Sequence, residues 1–81
     1  MGSTEILRLP LGGDSCVVVD RQYDRPSKKH IYEVMVCSVG GFFIQSRIHV
    51  GTDRKIALTQ AALVLLEHTQ RHTPLTGRES Q

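Results

Sequence analysis

The chain has 81 residues, of which 40% are apolar and 22% charged, and a formal net charge of +2. That length points to one domain with a small core, and the composition is globular rather than disordered. No apolar run approaches the ~18 residues of a membrane span, and so small a net charge makes the placement of the basic residues more informative than their sum.

Residues 1–15, MGSTEILRLPLGGDS, read as an extended N-terminal segment. Leu7, Leu9 and Leu11 alternate, whereas Pro10 and the Gly12-Gly13 pair argue against a long helix. CVVVDRQY over 16–23 is β-branched and short, which predicts a strand. DRPSKK over 24–29 predicts a turn, with Asp24 and Pro26 setting turn dihedrals and basic residues clustering in it. HIYEVMVCSV over 30–39 predicts a second strand. Gly40-Gly41 is a tight-turn signal, and FFIQSRIHV over 42–50 predicts a third strand. Short turns between successive strands favour an antiparallel meander.

From Asp53 to Gln70 there is neither Gly nor Pro, and a helix of that length would run about 27 Å. Thr52 can cap it, and Asp53 suits its positive start. The expected fold is therefore α+β in the order β-β-β-α: a three-stranded antiparallel sheet with one C-terminal helix packed on one face. The folded domain is expected over 16–72, and the polar tail 73–81 is expected to be disordered.

Few residues suggest catalysis or metal binding. Cys16 and Cys37 lack a CxxC spacing and read as reduced core or sheet cysteines, a single disulfide being the alternative. His30, His49, His68 and His72 make no metal spacing with them. His49 beside Cys37 across a hairpin could mimic a Cys-His pair, but neighbours on a sheet surface are the simpler reading. The acidic residues form no recognisable pair and the serines sit in no elbow motif. The expectation is a protein that is not an enzyme, with no cofactor and no metal. The N-terminus lacks a charged region followed by an apolar one, so cytoplasm or nucleus is the expected location.

The sharpest spacing is GTDRKIALTQAALVLLEHTQ, residues 51–70. A helix N-terminus presents unpaired N–H groups and partial positive charge, and Arg54 and Lys55 add two cations there. Such a turn suits an anion, commonly phosphate. Counting from Gly51, basic residues stand at plus three and plus four, Ala57 at plus six, Ala61 and Ala62 at plus ten and eleven, and Leu66 at plus fifteen.

This pattern resembles the C-terminal helix of the double-stranded RNA-binding domain family, G-x-x-K-K-x-A-x-x-x-A-A with a later leucine. RPSKKHIYEVMV is similar to that family's first hairpin: Pro26 is matched, Lys28 takes the place of a histidine, and Tyr32, Val34 and Val36 match the strand. Gly40-Gly41 falls at the family's next turn. The resemblance covers about residues 16–70. It implies a module contacting duplex RNA, with Arg54 and Lys55 on phosphates and the loop bearing Arg25, Lys28 and Lys29 at the minor groove, consistent with recognition of A-form duplexes by shape and backbone. Three positions depart from the family. Leu58 stands where a third basic residue is usual, Arg25 replaces the loop glycine, and residues 1–15 offer no first helix.

Without that first helix the apolar residues from Ile56 to Leu66 cover more of the helix than one sheet can bury. The surplus must meet the Ile6–Leu11 segment or a partner. If Tyr32, Val34 and Val36 face the helix, then Ile31, Glu33, Met35 and Cys37 face outward. If Ile44, Ile48 and Val50 are core, then Phe43, Gln45, Arg47 and His49 share the outer face. A surface comprising Ile31, Met35, Cys37 and Phe43, with Leu63 on the helix, is a candidate protein-interaction or homodimer interface. The two functional expectations are thus duplex RNA binding and protein interaction, with no membrane partner.

Overall fold

The computed structural model describes residues 2–38 and 43–70 and the backbone of 71–72. Strands β1 (Thr4–Gly12), β2 (Ser15–Asp24), β3 (Lys29–Ser38) and β4 (Ile44–Gly51) are followed by helix α1 (Arg54–His72). The strands form one antiparallel sheet in the order β1-β2-β3-β4, with α1 against one face. The α+β class, the meander and the C-terminal helix agree with the expectation, but the sheet has four strands rather than three. The Gly40-Gly41 turn and the tail 73–81 lie outside the described residues.

The additional strand is the segment expected to be merely extended. Pro10 is tolerated because β1 is an edge strand, where a missing N–H need not break a ladder. The Gly12-Gly13 pair reverses the chain instead of ending the structure. Their φ angles are +92° and +60°, a region open to glycine at little steric cost. Gly13 and Asp14 make a two-residue connection between Gly12 and Ser15, which are register partners. Register shifts beside Ile6 and Leu11 mark bulges. They let Ile6, Leu7, Leu9 and Leu11 all pack toward the helix-side core.

That core is built on Val17, Val19 and Val34, which are wholly buried together with Ala57 and Ala61 of α1. The two alanines lie one helical turn apart, and their small side chains let the helix lie close to the sheet. Tyr32 and Leu11 complete the buried set, and Val36, Leu58, Val64 and Leu65 pack around it. Tyr32, Val34 and Val36 therefore do face the helix.

The β4 residues are arranged differently from the expectation. Register shifts beside Ile48 and Gln45 insert two irregularities, so strict alternation along the strand is lost. Ile44, Ile48 and Val50 are exposed rather than core. His49 pairs with Val34 on the helix side, whereas Arg47 pairs with Met35 on the open side. The Cys37–His49 juxtaposition does not occur, since Cys37 is the partner of Ile44.

The helix start also differs in detail. Asp53 rather than Thr52 is the cap: its carboxylate accepts a hydrogen bond from the Ile56 amide at 3.1 Å, and its carbonyl accepts the Ala57 amide at 3.1 Å. Ala61→Leu should destabilise the fold by about 1–3 kcal/mol through overpacking. Ala62→Leu, on the exposed side, should change it by less than about 0.5 kcal/mol. Urea denaturation of the two variants checks the helix orientation.

A candidate nucleic-acid interface at one end of the sheet

The two basic clusters are far apart in sequence, but the topology brings them to one end of the molecule. Arg21 pairs with Tyr32, and Tyr32 pairs with Gly51. The end of β4 therefore lies beside the beginning of β3. The β2–β3 turn extends from this row on one side, and α1 begins just beyond it on the other. Lys29 stands three residues before Tyr32, so the turn projects roughly 10 Å past the row.

The turn is held by its own polar groups. The Asp24 carboxylate accepts hydrogen bonds from the Ser27 amide at 3.1 Å and the Ser27 hydroxyl at 2.6 Å. The Lys28 amide donates to the Arg25 carbonyl at 3.2 Å. Lys28 itself has φ +58°, a left-handed conformation at a non-glycine residue. Arg25, Lys28 and Lys29 are all exposed, as are Arg54 and Lys55.

Half-buried Arg21 adds a further cation at this end. The carboxylates of Asp24 and Asp53, which hold the turn and the helix cap, offset only two of the six cations Arg21, Arg25, Lys28, Lys29, Arg54 and Lys55. The end is therefore predominantly cationic. The Tyr23 and His30 rings meet edge-on there, with centroids 5.3 Å apart, and Tyr23 is 54% exposed. With Thr4, Arg21 and Arg25 they line a shallow concavity. Aromatic faces beside guanidinium groups offer a surface on which a base can stack. Near the helix start the His49 ring lies over Gly51, where a Cβ would come within 3.0 Å of Nε2. Leu58, which stands where the family pattern has a third basic residue, packs against the helix-side core and does not extend this surface.

The candidate interaction residues do not form one patch. Met35 and Cys37 lie on the open sheet face, but they are buried in a small cluster with Cys16 and Val18. Ile31 is half-buried, Phe43 is 72% exposed, and Leu63 is exposed on α1 in the other layer. Charged side chains flank the open-face cluster. Arg8 donates to both carboxylate oxygens of Glu5, at 2.7 and 3.0 Å, and through Nη1 to Cys16 Sγ at 3.2 Å. Arg47 donates to Glu33 across the β3–β4 pair. The hydrogen bond from Arg8 holds Glu5 below the usual carboxylate range, and burial pushes the Cys37 thiol above the usual thiol range.

The far side of α1 carries a different apolar surface. Ile56, Leu63 and Leu66 remain exposed and share the helix face turned away from Ala57 and Ala61. The leucines of β1 thus complete the core without covering the surplus stripe.

Comparison of the chain with protein-family models, with curated proteins and with solved structures finds no match. Among the described residues, no group of three or more His, Cys, Asp or Glu side chains could hold a metal ion, and no helix is long and apolar enough to cross a membrane.

The sequence pointed to Arg25, Lys28, Lys29, Arg54 and Lys55 as candidates; the structure brings Arg21, Tyr23 and His30 to the same end, and the sequence did not single these out. A signal for the latter pair existed: Tyr23 and His30 stand at equal distances from the middle of the turn, as hairpin partners must. Lys28→Gly should relieve the left-handed strain and stabilise the domain by about 0.5–1 kcal/mol while weakening anion binding, measured as thermal midpoint and phosphate-backbone affinity.

The raised Cys37 value also has a pH signature. Its folded form keeps a proton that the unfolded form loses above about pH 8.5. The associated stability is fully present below that pH and is lost as pH rises through the folded value. Wild type should therefore lose more stability than Cys37→Ala between pH 7.5 and 10 in urea titrations.

Proposed function

We propose that this domain is a non-catalytic module that binds duplex RNA by its phosphate backbone. One observation carries the reading: Arg25, Lys28 and Lys29 of the β2–β3 turn and Arg54 and Lys55 of α1 lie at the same end of the sheet. Two basic positions set apart on a rigid frame suit phosphates on either side of a groove. The lysines and arginines supply charge, and the A-form backbone supplies the shape they meet.

The order of residues 16–72, β-β-β-α, is also the order implied by the family resemblance, with β1 added beside β2. Leu58 removes one phosphate contact relative to that family. Affinity is accordingly expected near the nonspecific range of about 10⁻⁴–10⁻⁶ M at physiological salt. Asp53 already accepts one of the helix-start amides, so the side chains of Arg54 and Lys55 provide most of the attraction there. Cytoplasm or nucleus, where such RNA occurs, is the compartment that accompanies this reading.

A second reading, protein interaction or homodimerisation, draws on the exposed stripe of Ile56, Leu63 and Leu66. It uses the back of α1 and leaves the basic end free, so both activities can reside in one molecule. Sedimentation over a concentration series tests the homodimer: self-association abolished by Leu63→Glu supports it, and a monomer at every concentration rejects that form.

For RNA, anisotropy titrations of a labelled duplex at 50 and 200 mM salt are decisive. The double variant Arg54→Ala, Lys55→Ala should bind more weakly and flatten the logarithmic salt slope by up to about two contacts. Absence of duplex binding by the wild type at 50 mM salt would reject the proposal.

A further inference from the structure

We propose that Cys16 and Cys37 are a peroxide-reactive thiol pair that closes to a cross-strand disulfide. The inference is independent of RNA binding, because the pair lies at the end of the β2–β3 hairpin remote from the basic turn.

Register is the first support. Cys16 and Cys37 are direct partners on adjacent antiparallel strands, and both are free thiols. Partners of this kind have Cα atoms about 4.5–5.5 Å apart, inside the roughly 4.4–6.8 Å range that a disulfide spans. Both side chains belong to the same open-face cluster. Closure therefore requires rotation of side chains without a shift of either strand.

Access is the second support. The thiols are 4% and 5% exposed, but α1 packs on the opposite face. A concavity on the open face is lined by Cys37, Met35, Ile44 and Arg8 with the carboxylates of Glu5 and Asp20; Cys16 does not line it but borders it through Arg8, whose Nη1 is 3.2 Å from its Sγ. Arg8 and Ile44 are themselves exposed, so movement of surface side chains admits a small oxidant while the core stays packed.

The local groups distinguish the two sulfurs. Arg8 Nη1 lies 3.2 Å from Cys16 Sγ and supplies positive potential where negative charge develops on the attacking sulfur. Burial favours the protonated form of Cys37, which makes it the poorer nucleophile toward peroxide and leaves the first attack to Cys16. Hydrogen peroxide is the oxidant. The Cys16 sulfur attacks one peroxide oxygen, the O–O bond breaks, and Cys16 sulfenic acid and one water form. The Cys37 sulfur then attacks the Cys16 sulfur, the S–O bond breaks, and a second water leaves with the remaining thiol proton. The two thiols give up two electrons and two protons, and peroxide is reduced to two waters.

The test uses the full chain, reduced and then exposed to one equivalent of hydrogen peroxide, alkylated under denaturing conditions and digested with trypsin. Peptides 9–21 and 30–47 carry the two cysteines. The expected product is these peptides joined within a monomer, two hydrogens lighter than their sum, and separated again by dithiothreitol. Recovery of both cysteines as alkylated thiols, their conversion to sulfinic acids, or linkage only between copies would overturn the proposal. Mapping separates the disulfide from sulfoxide at neighbouring Met35, which adds an oxygen without joining peptides.

Discussion

The pairing of β2 with β3 is the constraint on which the molecule depends. An unbroken register from Ser15↔Ser38 to Asp24↔Lys29 places Val17, Val19, Tyr32 and Val34 on one face and Cys16, Val18, Met35 and Cys37 on the other. A slip of one residue would exchange those sets. The helix would then lose the valines against which Ala57 and Ala61 sit. The turn sets this register: Asp24 clasps Ser27, and left-handed Lys28 returns the chain to β3. The same turn presents the basic loop, so the element that fixes the core also positions part of the candidate RNA surface.

The two faces of the sheet solve burial differently. On one side a helix with small contact residues closes over valines. On the other, no second layer is present among the described residues, yet a sulfur-rich cluster is still nearly excluded from water, flanked by Arg8, Glu5, Glu33 and Arg47. Long charged side chains can achieve this because their aliphatic stems lie on apolar surface while their heads remain hydrated. Exposed ion pairs contribute little stability by themselves. Their influence here lies in covering the cluster and in placing a guanidinium against Cys16.

Helix α1 is apolar on both sides, and that property separates two problems that the sequence presented as one. β1 contributes Ile6, Leu7, Leu9 and Leu11 to the core beneath the helix. It adds a strand to the sheet and does not wrap behind α1. Ile56, Leu63 and Leu66 consequently stay exposed. The basic helix start and this stripe occupy different surfaces, so the two proposed activities do not compete for one face.

Much of the fold was legible in local chemistry. β-branched runs marked β2 and β3, the uninterrupted stretch after Asp53 marked α1, and the period of two put Tyr32, Val34 and Val36 on one face of β3. β1 was obscured because Pro10 and two glycines look like breakers, whereas an edge position tolerates the proline and a hairpin uses the glycines. β4 was obscured because bulges at Gln45 and Ile48 change its facing, and alternation carries no information about an inserted residue. Asp53 displaced Thr52 as cap because only the chain's path into α1 decides which oxygen reaches the free amides.

The individual basic residues of the candidate site were plain in the sequence, since charge is a property of each side chain. Their shared location was not, because it depends on the Arg21–Tyr32–Gly51 row across three strands. The sequence by itself determined the helix, the central hairpin and which side chains could attract an anion. Tertiary structure alone decided that the two basic clusters converge, that Met35 and Cys37 are shielded, and that Cys16 faces Cys37 beside Arg8. Those outcomes depend on long-range pairing, where residues distant along the chain become neighbours through hydrogen-bond register and packing.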